Sequence, residues 1–456
     1  MLPRLAWLLC AWLALIWPAS LLSAAERPNL VIMMTDDQRF DALSCAGNQI
    51  IKTPNMDRLA HEGVRFRNAF VTNSLCAPSR ATLLTGQYSH TNGVIDNKDR
   101  RIDKDSPFLP DLLRQAGYEV AFCGKSHTAG ALRDRTWDYY FGFLGQGNYL
   151  KPRIAEGTDG KDQLYEGYMD DVTTGKALDW LQKKREKPFA LFLFFKAPHR
   201  SWDRAPRHQD LFKDVTIPKP DTYDLGLKGD PAKPKAFNDA DNKIGNAKDV
   251  TSLDFVKDYY ATITAVDENV GRVLDTLGKL GKLDETAVLF TSDNGFFHGE
   301  WGRYDKRLMH EPSIRVPMLV RYPKLIKAGT LCDRMVLNID IAPTVLTLAG
   351  ADTPKAMHGR SFAPLFKAPQ AAWRNDWLYE YYEFPGPHSV KPNRGIRTER
   401  YKLIHYFENP EEFELYDLEK DPGERENLYG KAEYAELTKK LLARLAELRK
   451  ETGDVK

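Results

Sequence analysis

The sequence predicts an α/β protein with a mostly parallel central sheet flanked by helices, followed by a small C-terminal α+β subdomain. Short, continuous apolar runs alternate with capped or amphipathic segments of helical length, which is typical of a sheet covered on both faces. The 456 residues are 42% hydrophobic, which is enough for a large core. After about residue 370 the pattern changes to short strands and one final helix.

The N-terminal segment has the pattern of an export signal. Arg4 precedes an unbroken apolar run over residues 5–17, and small residues follow at 23–25. The run is short for a membrane span, although an uncleaved anchor is the alternative. We therefore predict a signal peptide over residues 1–25, a periplasmic or extracellular location, and no stable membrane insertion after cleavage.

Four apolar runs predict the buried strands of the sheet, at residues 29–34, 188–195, 286–291 and 316–320. Parallel strands are covered by helices on both faces, so they appear as continuous apolar runs rather than as alternating patterns. Ligands of such sheets bind at the carboxyl ends of the strands. The polar residues that follow these runs are therefore the first candidates for a site.

Helical segments alternate with the strands. Thr53-Pro54 predicts a helix start, with Pro at the first helical position, and Ser106-Pro107 repeats the pattern before Gly117. Apolar residues spaced three and four apart predict a long amphipathic helix over 255–277. Residues 203–250 are rich in Lys, Asp and Pro without periodicity, which predicts a long surface insertion, either a lid or a passive loop.

The last part of the chain predicts a separate small subdomain. Residues 401–407 and 412–418 flank a turn and predict an antiparallel hairpin, and apolar spacing predicts a terminal helix over 434–448. We place a catalytic domain at 26–368 and the C-terminal subdomain at 369–456.

Composition excludes several classes of protein. The formal net charge is +2, so no basic field for nucleic acid is expected, and the mean hydropathy of −0.49 excludes a polytopic membrane protein. Four cysteines follow the predicted signal: Cys45, Cys76, Cys123 and Cys332. Four cysteines allow three sets of disulfide pairings, and the sequence does not decide among them. No two cysteines have the C-x-x-C spacing of a structural zinc site, so such a site is not expected.

Oxygen-bearing side chains follow two of the predicted strands. Asp36 and Asp37 come directly after the first strand, and Asp293 and Asn294 come after the third. No cysteine or histidine cluster accompanies them, and hard oxygen donors select Ca²⁺ or Mg²⁺ over zinc or copper. The sequence therefore predicts a divalent cation site in which Arg80, Lys125 and Lys306 offset excess negative charge.

Residues 76–86 read Cys-Ala-Pro-Ser-Arg-Ala-Thr-Leu-Leu-Thr-Gly, which resembles the C-x-P-S-R-x-x-L-x-T-G signature of the type I, formylglycine-dependent sulfatases at every specified position. Five other segments resemble motifs of the family and occur in the family's order. Four of them are Asp36-Asp37 after the first strand, Gly124-Lys125-Ser126-His127, Ala197-Pro198-His199, and Ser292-Asp293-Asn294-Gly295. The fifth, Asp305-Lys306-Arg307, resembles the family's late lysine segment. Many relatives have Trp where Ser126 stands here.

The resemblance implies an alkaline-phosphatase-like fold and a sulfuric ester hydrolase. It implies that a maturation enzyme converts Cys76 to formylglycine (3-oxoalanine), whose hydrated aldehyde is the nucleophile. It further implies Ca²⁺, with Mg²⁺ less favoured, held by residue 76 together with Asp36, Asp37, Asp293 and Asn294.

The resemblance also implies roles for individual residues. Arg80 would hold the hydrate, and Lys125 would hold the sulfate oxygens. His199, assisted by Lys306, would protonate the departing alcohol, and Asp293 could accept the proton of the attacking hydroxyl. His127 would then remove the proton of the second hydroxyl, which expels sulfate.

Within the family, the chain resembles bacterial carbohydrate sulfatases of the N-acetylglucosamine-6-sulfatase type, so a sulfated sugar or glycosaminoglycan-type substrate is expected. Candidates for the sugar pocket are Trp202, Trp301, Tyr381, Tyr382, Glu383, His388 and Arg394, with His298 and His310 as further possible substrate contacts. Two alternatives remain open at this point. They are a phosphodiesterase or phosphonate-type hydrolase on the same scaffold, and a non-catalytic glycan-binding protein in which Cys76 is never oxidised.

Overall fold

The computed structural model describes residues 27–98, 101–128, 132–227, 229–246 and 250–454. The predicted signal peptide lies outside these residues. Among the helices of the described ranges, none is both long and apolar enough to cross a membrane. The four cysteines in this part of the chain are free thiols.

The described residues form eighteen strands. In chain order they are β1 (Asn29–Thr35), β2 (Val64–Phe66), β3 (Ala69–Phe70), β4 (Glu119–Lys125), β5 (Tyr139–Phe143), β6 (Arg153–Glu156), β7 (Gln163–Leu164), β8 (Phe189–Phe194), β9 (Thr286–Ser292), β10 (Phe297–His298), β11 (Tyr304–Asp305), β12 (Met318–Arg321), β13 (Thr330–Cys332), β14 (Val336–Leu337), β15 (Asp376–Tyr381), β16 (Asn393–Thr398), β17 (Tyr401–Tyr406) and β18 (Glu412–Asp417).

Twelve α-helices accompany these strands in the described ranges. They are α1 (Pro54–His61), α2 (Cys76–Thr85), α3 (Ser89–Asn92), α4 (Leu109–Gln115), α5 (Met169–Leu181), α6 (Tyr223–Leu227), α7 (Lys235–Asp239), α8 (Phe255–Lys279), α9 (Glu311–Ile314), α10 (Ile341–Leu348), α11 (Pro364–Lys367) and α12 (Ala435–Thr452).

Ten strands form one large mixed sheet in the order β13–β2–β12–β9–β1–β8–β4–β5–β6–β7. The five central strands β9, β1, β8, β4 and β5 are parallel neighbours, whereas β12 runs antiparallel to β9. The register pairs Thr35 with Ser292, so the acidic residues that follow β1 and β9 emerge side by side. The predicted mostly parallel sheet is confirmed.

Helices cover the sheet on both faces, and β1 shows why its residues form a continuous apolar run. Leu30, Ile32 and Met34 belong to the core shared with α2, α4 and α10, while Val31 and Met33 belong to the core shared with α1, α5 and α8. Each fully buried apolar side chain of this kind contributes about 1.5–3 kcal/mol. Both faces of the strand are therefore dry.

The helix predicted from Ser106-Pro107 begins later in the structure. Phe108 is still extended, with φ −129° and ψ 112°, and α4 starts at Leu109 with Pro110 in its first turn. The predicted start was wrong because two prolines lie close together and only the second occupies the position that suits a helix start. The helices predicted at 54 and at 255 are present as α1 and α8.

The C-terminal subdomain is a four-stranded antiparallel sheet, β15–β16–β17–β18, with α12 packed on it. The predicted hairpin is its β17–β18 pair. Apolar side chains of this sheet, including Trp377 and Leu403, share one core with Leu84 of α2 and Leu346 of α10. The boundary at 368/369 therefore stays a prediction, although the small antiparallel subdomain is present.

Residues 203–227 lie mostly at the surface, as their composition predicted, but the second half of the segment, from residue 229 on, is anchored in the fold by buried side chains. Lys233 is buried, 3.3 Å from the carboxylate of Glu414, and donates to the Glu424 carbonyl at 2.8 Å. Phe237 is buried beneath the guanidinium of Arg303 at 4.2 Å. The prediction was wrong for this second half because a few anchoring side chains leave no periodic pattern.

A network of buried charges joins this segment and the catalytic part of the chain to the C-terminal sheet. Besides the Lys233–Glu414 pair, Lys402 of β17 pairs with Glu311 at 2.9 Å and with Glu424 at 2.6 Å. The backbone N–H of Glu311 donates to the second oxygen of Glu424 at 2.8 Å. Each buried charge of the network thus has a partner of opposite sign.

Candidate active site

The predicted site residues meet at the carboxyl ends of four adjacent parallel strands. Asp36 and Asp37 follow β1, Asp293 follows β9, Lys125 ends β4, and His199 follows β8. Because β9, β1, β8 and β4 are neighbours in the sheet, their ends converge on one edge, which is where α/β sheets bind ligands.

The acidic residues are locked to one another by hydrogen bonds. The Asp37 N–H donates to Asp293 Oδ1 at 3.0 Å, and the Asn294 amide donates to Asp37 Oδ1 at 2.5 Å. Asp36, Asp37 and Asp293 each offer a carboxylate oxygen, and these atoms lie within 4.8 Å of one another. The sequence prediction that these side chains cluster is thus matched by the geometry.

Two glycines allow the close approaches that bring the strand ends together. A Cβ at Gly124, whose φ is +115°, would lie 1.9 Å from the carbonyl oxygen of Phe194 on β8. A Cβ at Gly295 would lie 2.1 Å from the carbonyl oxygen of Pro312. The glycines of the two short motifs therefore serve packing of the backbone beside Lys125 and Asn294.

The Cys76 motif is a short buried helix with clear start and stop signals. Leu75 is extended, Pro78 lies in the first turn of α2, and Gly86 ends the helix with φ 64°. Cys76 is the first helical residue, where the positive end of the helix dipole favours negative charge. Its thiol is 3.5 Å from Asp36 Oδ1.

Arg80 projects from α2 into the acidic cluster and is completely buried. Its Nε donates to Asp293 Oδ2 at 2.9 Å, its Nη2 to Asp36 Oδ2 at 2.9 Å, and its Nη1 to the Lys125 carbonyl at 2.6 Å. These bonds tie the helix that carries Cys76 to three strand ends. Arg80 thereby fixes the carboxylates from behind rather than facing the cavity.

Two lysines supply further positive charge. The Lys125 ammonium pairs with Asp36 and donates to Gln146 Oε1 at 2.6 Å. The Lys306 ammonium pairs with Asp37 Oδ1. Both lysines are buried, so their charges act in a medium where electrostatic interactions are strong.

A cavity of about 470 Å³ opens above the cluster. The catalytic candidates Cys76, His127, His199 and Lys306 line it, and its remaining polar lining is Asn97, Gln146, Arg200, Asp305, Arg307 and Glu383. The size is that of a small-molecule site. The nucleophile candidate thus lies at the floor of a space that admits one sugar-sized ligand.

The two histidines reach the cavity from different strands. His199 Nε2 is 3.9 Å from Asp37 Oδ2, and its Nδ1 is 2.5 Å from the Arg200 carbonyl oxygen. His127 follows β4 with a left-handed φ of 51°. The carbonyl contact indicates that Nδ1 of His199 carries a proton, which leaves Nε2 facing the cluster and the cavity.

Comparison with known proteins decides the family. A family model described as Sulfatase matches residues 28–351. The chain is a member of the sulfatase family. A second model, described as N-sulphoglucosamine sulphohydrolase, C-terminal, matches residues 299–451. The family predicted from the Cys76 motif is confirmed, and so is the alkaline-phosphatase-like fold.

Two of the most similar proteins are named for glucosamine-type substrates. It is 39% identical to an N-acetylglucosamine-6-O-sulfatase of Bacteroides thetaiotaomicron, over 94% of this chain and 87% of the relative. A solved structure in complex with its substrate D-glucosamine-2-N,6-O-disulfate superimposes with a TM-score of 0.87 at 37% identity, covering 94% of this chain and 99% of that one. A phosphonate monoester hydrolase of Agrobacterium radiobacter superimposes with a TM-score of 0.79 at 21% identity, covering 93% and 96%, which shows the fold alone.

The carboxylates of this sulfatase do not ionise alike. Burial alone would raise the pKa of Asp36, but the Lys125 ammonium and the Arg80 guanidinium outweigh it and hold that pKa well below the usual range. Burial raises the pKa of Asp37 to about 7 despite Lys306, with Asp36 and Asp293 adding to the rise. Burial and Asp36 also raise the pKa of Asp293. Without a bound cation, the neighbouring Lys and Arg side chains therefore do not fully offset the negative charge of the three carboxylates.

Two buried oxygens of the cluster fit a metal ion. Among the described residues, neither Asp37 Oδ2 nor Asn294 Oδ1 accepts a hydrogen bond. Buried polar atoms are nearly always satisfied, so these two oxygens, beside carboxylates that share excess charge, have the character of ligand atoms. An oxygen-only set of this kind suits Ca²⁺ or Mg²⁺.

Asp36, Cys76 and His199 form a second group of potential ligands, which shares Asp36 with the first. A softer ion such as zinc would need Cys76 as a thiolate. Burial and the neighbouring Asp36 raise the pKa of Cys76 well above its ordinary value, so a metal bound here would have to displace the thiol proton. We therefore favour the oxygen set.

Most of the aromatic and basic candidates for a sugar pocket pack elsewhere. Glu383 lines the cavity, and His388 lies behind its wall, 3.0 Å from Asp305 Oδ2. The others do not line the cavity. Trp202 stacks on Phe255, Trp301 meets Phe237 edge to face, Tyr382 donates to Glu380, Arg394 lies over Phe407, His298 packs on Tyr259, His310 lies beside Glu414, and Tyr381 is buried in the core.

Several cavity residues were not predicted from the sequence, among them Gln146 and Asn97. Gln146 holds Lys125, and Asn97 accepts the N–H of Ala77 through Oδ1 at 3.1 Å, next to the start of α2. Gly145 and Gly147 flank Gln146 with φ of 69° and 63°, so the Gly-x-Gly spacing was a usable signal of a tight turn at the site. No pattern marks Asn97.

Proposed function

We propose that this sulfatase removes the 6-O-sulfate of a glucosamine-type sugar, using Ca²⁺ and a formylglycine derived from Cys76. The observation that carries the proposal is the cavity whose floor holds Cys76 and the acidic cluster and whose walls hold His199, His127 and Lys306. The two relatives named for glucosamine-type substrates support the choice of sugar.

Ca²⁺ would be held by Asp36, Asp37, Asp293, Asn294 and residue 76. When bound, a divalent ion offsets the excess carboxylate charge and stabilises negative charge that develops on a sulfuryl group. The two oxygens without hydrogen-bond donors, Asp37 Oδ2 and Asn294 Oδ1, support this assignment. Arg80 keeps Asp36 and Asp293 in place from the opposite side.

Formylglycine supplies a hydrated aldehyde, whose two hydroxyls on one carbon allow transfer of the sulfuryl group and then its release, a route that serine or cysteine lacks. Asp293 would accept the proton of the attacking hydroxyl. Lys306 and Lys125 would stabilise charge on the sulfate oxygens, since both ammonium groups lie at the acidic cluster.

His199 would deliver the proton that the departing alcohol needs. Burial and the Lys125 charge lower the pKa of His199 well below its ordinary value, so a protonated His199 is a strong acid, and an anionic substrate in the cavity favours its protonation. Lys306 lines the same cavity and supports the transfer. His127 would take up the proton whose removal releases sulfate.

The substrate assignment is tested by measuring sulfate release from N-acetylglucosamine 6-sulfate, glucosamine 2-N,6-O-disulfate and their 3-O-sulfated isomers. We expect the 6-O-sulfates to turn over fastest. A 4-nitrophenyl phosphodiester measured beside 4-nitrophenyl sulfate at equal concentration checks the ester class. Much faster hydrolysis of the diester would overturn the sulfate assignment, and glycan binding without any turnover would indicate a non-catalytic protein.

Calcium should stabilise the protein more at high pH than at low pH. Without metal, the pKa of Asp37 lies at about 7, above its ordinary 3.8, so stability contributed by the bound proton is lost as pH rises through this range. Ca²⁺ needs the ionised carboxylate, and its affinity should be about 100-fold lower at about pH 5 than at about pH 8. Equal calcium-induced shifts of the melting temperature at both pH values would contradict this.

Export and maturation belong to the same proposal. Residues 1–25 would direct the chain to a periplasmic or extracellular location, and a formylglycine-generating enzyme would act on Cys76. Sequencing the N-terminus of the purified protein tests the first step, with cleavage after residue 25 expected.

A further inference from the structure

Asp170 lies beneath the loop that carries His199. It is the second residue of α5 and is fully buried. Its Oδ1 accepts the backbone N–H of Lys196 at 2.8 Å, and its Oδ2 accepts the N–H of Ala197 at 3.2 Å. One carboxylate therefore fixes two consecutive peptide units after β8.

Lys196 and Ala197, the two residues that Asp170 holds, also bond to His199 and to the acidic cluster. The carbonyl of Ala197 accepts the N–H of Asp36 at 3.1 Å, and the carbonyl of Lys196 accepts the N–H of His199 at 3.1 Å. Asp170 is thus two hydrogen bonds away from a candidate metal ligand and from the candidate acid. It does not line the cavity, so it reaches neither by direct contact with substrate.

Tyr149 holds the loop from another side. Its hydroxyl donates to the His199 carbonyl at 2.6 Å, and its ring lies 4.3 Å from the buried ammonium of Lys196. The backbone from 196 to 199 is therefore bonded at both ends by side chains that sequence analysis did not single out.

We propose that Asp170 is a positioning residue that sets His199 for protonation of the departing alcohol. The proposal rests on the acid role of His199 in the proposed function. A carboxylate is required because two N–H donors side by side need two acceptors. Asparagine offers one acceptor and would turn its own N–H groups toward the other donor, so the loop would shift.

The test compares two leaving groups in Asp170→Asn. A sugar alcohol needs a proton as it departs, whereas 4-nitrophenolate departs without one. We expect kcat for the 6-O-sulfated sugar to fall about 10–100-fold and kcat for 4-nitrophenyl sulfate to fall by less than about threefold. A purely structural loss would lower both rates together.

Asp171→Asn is the matched control, because Asp171 is the next residue and pairs with Arg207 at 2.6 Å on the surface. It should leave the ratio of the two rates unchanged. Tyr149→Phe removes the other bond to the loop and should shift the ratio in the same direction as Asp170→Asn. If Asp170→Asn does not fold, the rate ratio of Tyr149→Phe tests whether this loop positions His199.

His199→Ala separates failure of this inference from failure of the proposed function. If His199→Ala lowers both rates equally, the acid role of His199 is wrong. If His199→Ala affects the sugar selectively while the folded Asp170→Asn protein, or in its absence Tyr149→Phe, does not, Asp170 does not position His199 and the inference is overturned.

Discussion

Cys76→Ala is expected to lower sulfate release by about 10⁴-fold or more, because it removes the precursor of the nucleophile. Cys76 is 1% exposed, and among the described residues its side chain forms a hydrogen bond only with Asp36. The loss of one sulfur atom should therefore change the free energy of unfolding by about 1 kcal/mol or less. Sulfate release and thermal unfolding, measured on the same preparation, check both statements.

Cys45→Ala is the matched control, since Cys45 is a half-buried thiol outside the cavity. It should keep full activity. In the active wild type, the tryptic peptide over residues 68–80 should be lighter by about 18 Da than its encoded mass, as expected when a thiol becomes an aldehyde. An active preparation in which this peptide keeps its thiol would contradict the mechanism.

Asp37→Asn is expected to lower activity more than about 100-fold and to abolish stabilisation by calcium. The change keeps the shape of the side chain and removes the charge that faces Lys306. It also replaces one of the two carboxylate oxygens with a nitrogen that cannot bind a cation. Activity at saturating Ca²⁺ and the melting temperature with and without Ca²⁺ are the measurements.

Asp333→Asn is the control for loss of one negative charge. Asp333 lies on the surface and pairs with Arg67, so both activity and the calcium-induced shift should remain. The metal assignment would be wrong if Asp37→Asn retained the calcium-induced shift of the wild type.

The central sheet could be predicted because burial of a strand on both faces produces a simple sequence pattern. The strands β1, β8 and β9 are buried on both faces, so nearly every position must be apolar. The acidic cluster could be predicted because Asp36, Asp37 and Asp293 follow these strands directly. Strand order and register then bring them together without further information.

Other parts of the site depend on tertiary contacts that have no local pattern. An aspartate in the first turn of a helix is favourable for the helix dipole alone, so Asp170 has no feature that marks its bonds to Lys196 and Ala197. The prediction that aromatic residues line a sugar pocket was wrong because their residue type has two common uses. Trp202 and Trp301 are large apolar side chains that the core needs, and their type does not separate packing from sugar binding.

The buried pairs Lys233–Glu414 and Lys402–Glu311 also bear on how the protein can be shortened. A version ending near residue 368 would remove Glu414 from Lys233 and would remove Lys402 and Arg397 from Glu311, leaving Glu311 only Arg315 at 3.9 Å. Breaking a buried pair costs about 3–5 kcal/mol. That is comparable with the whole stability of a typical domain. Heating should therefore melt the intact chain in one step, and limited proteolysis should yield no durable catalytic core free of its tail.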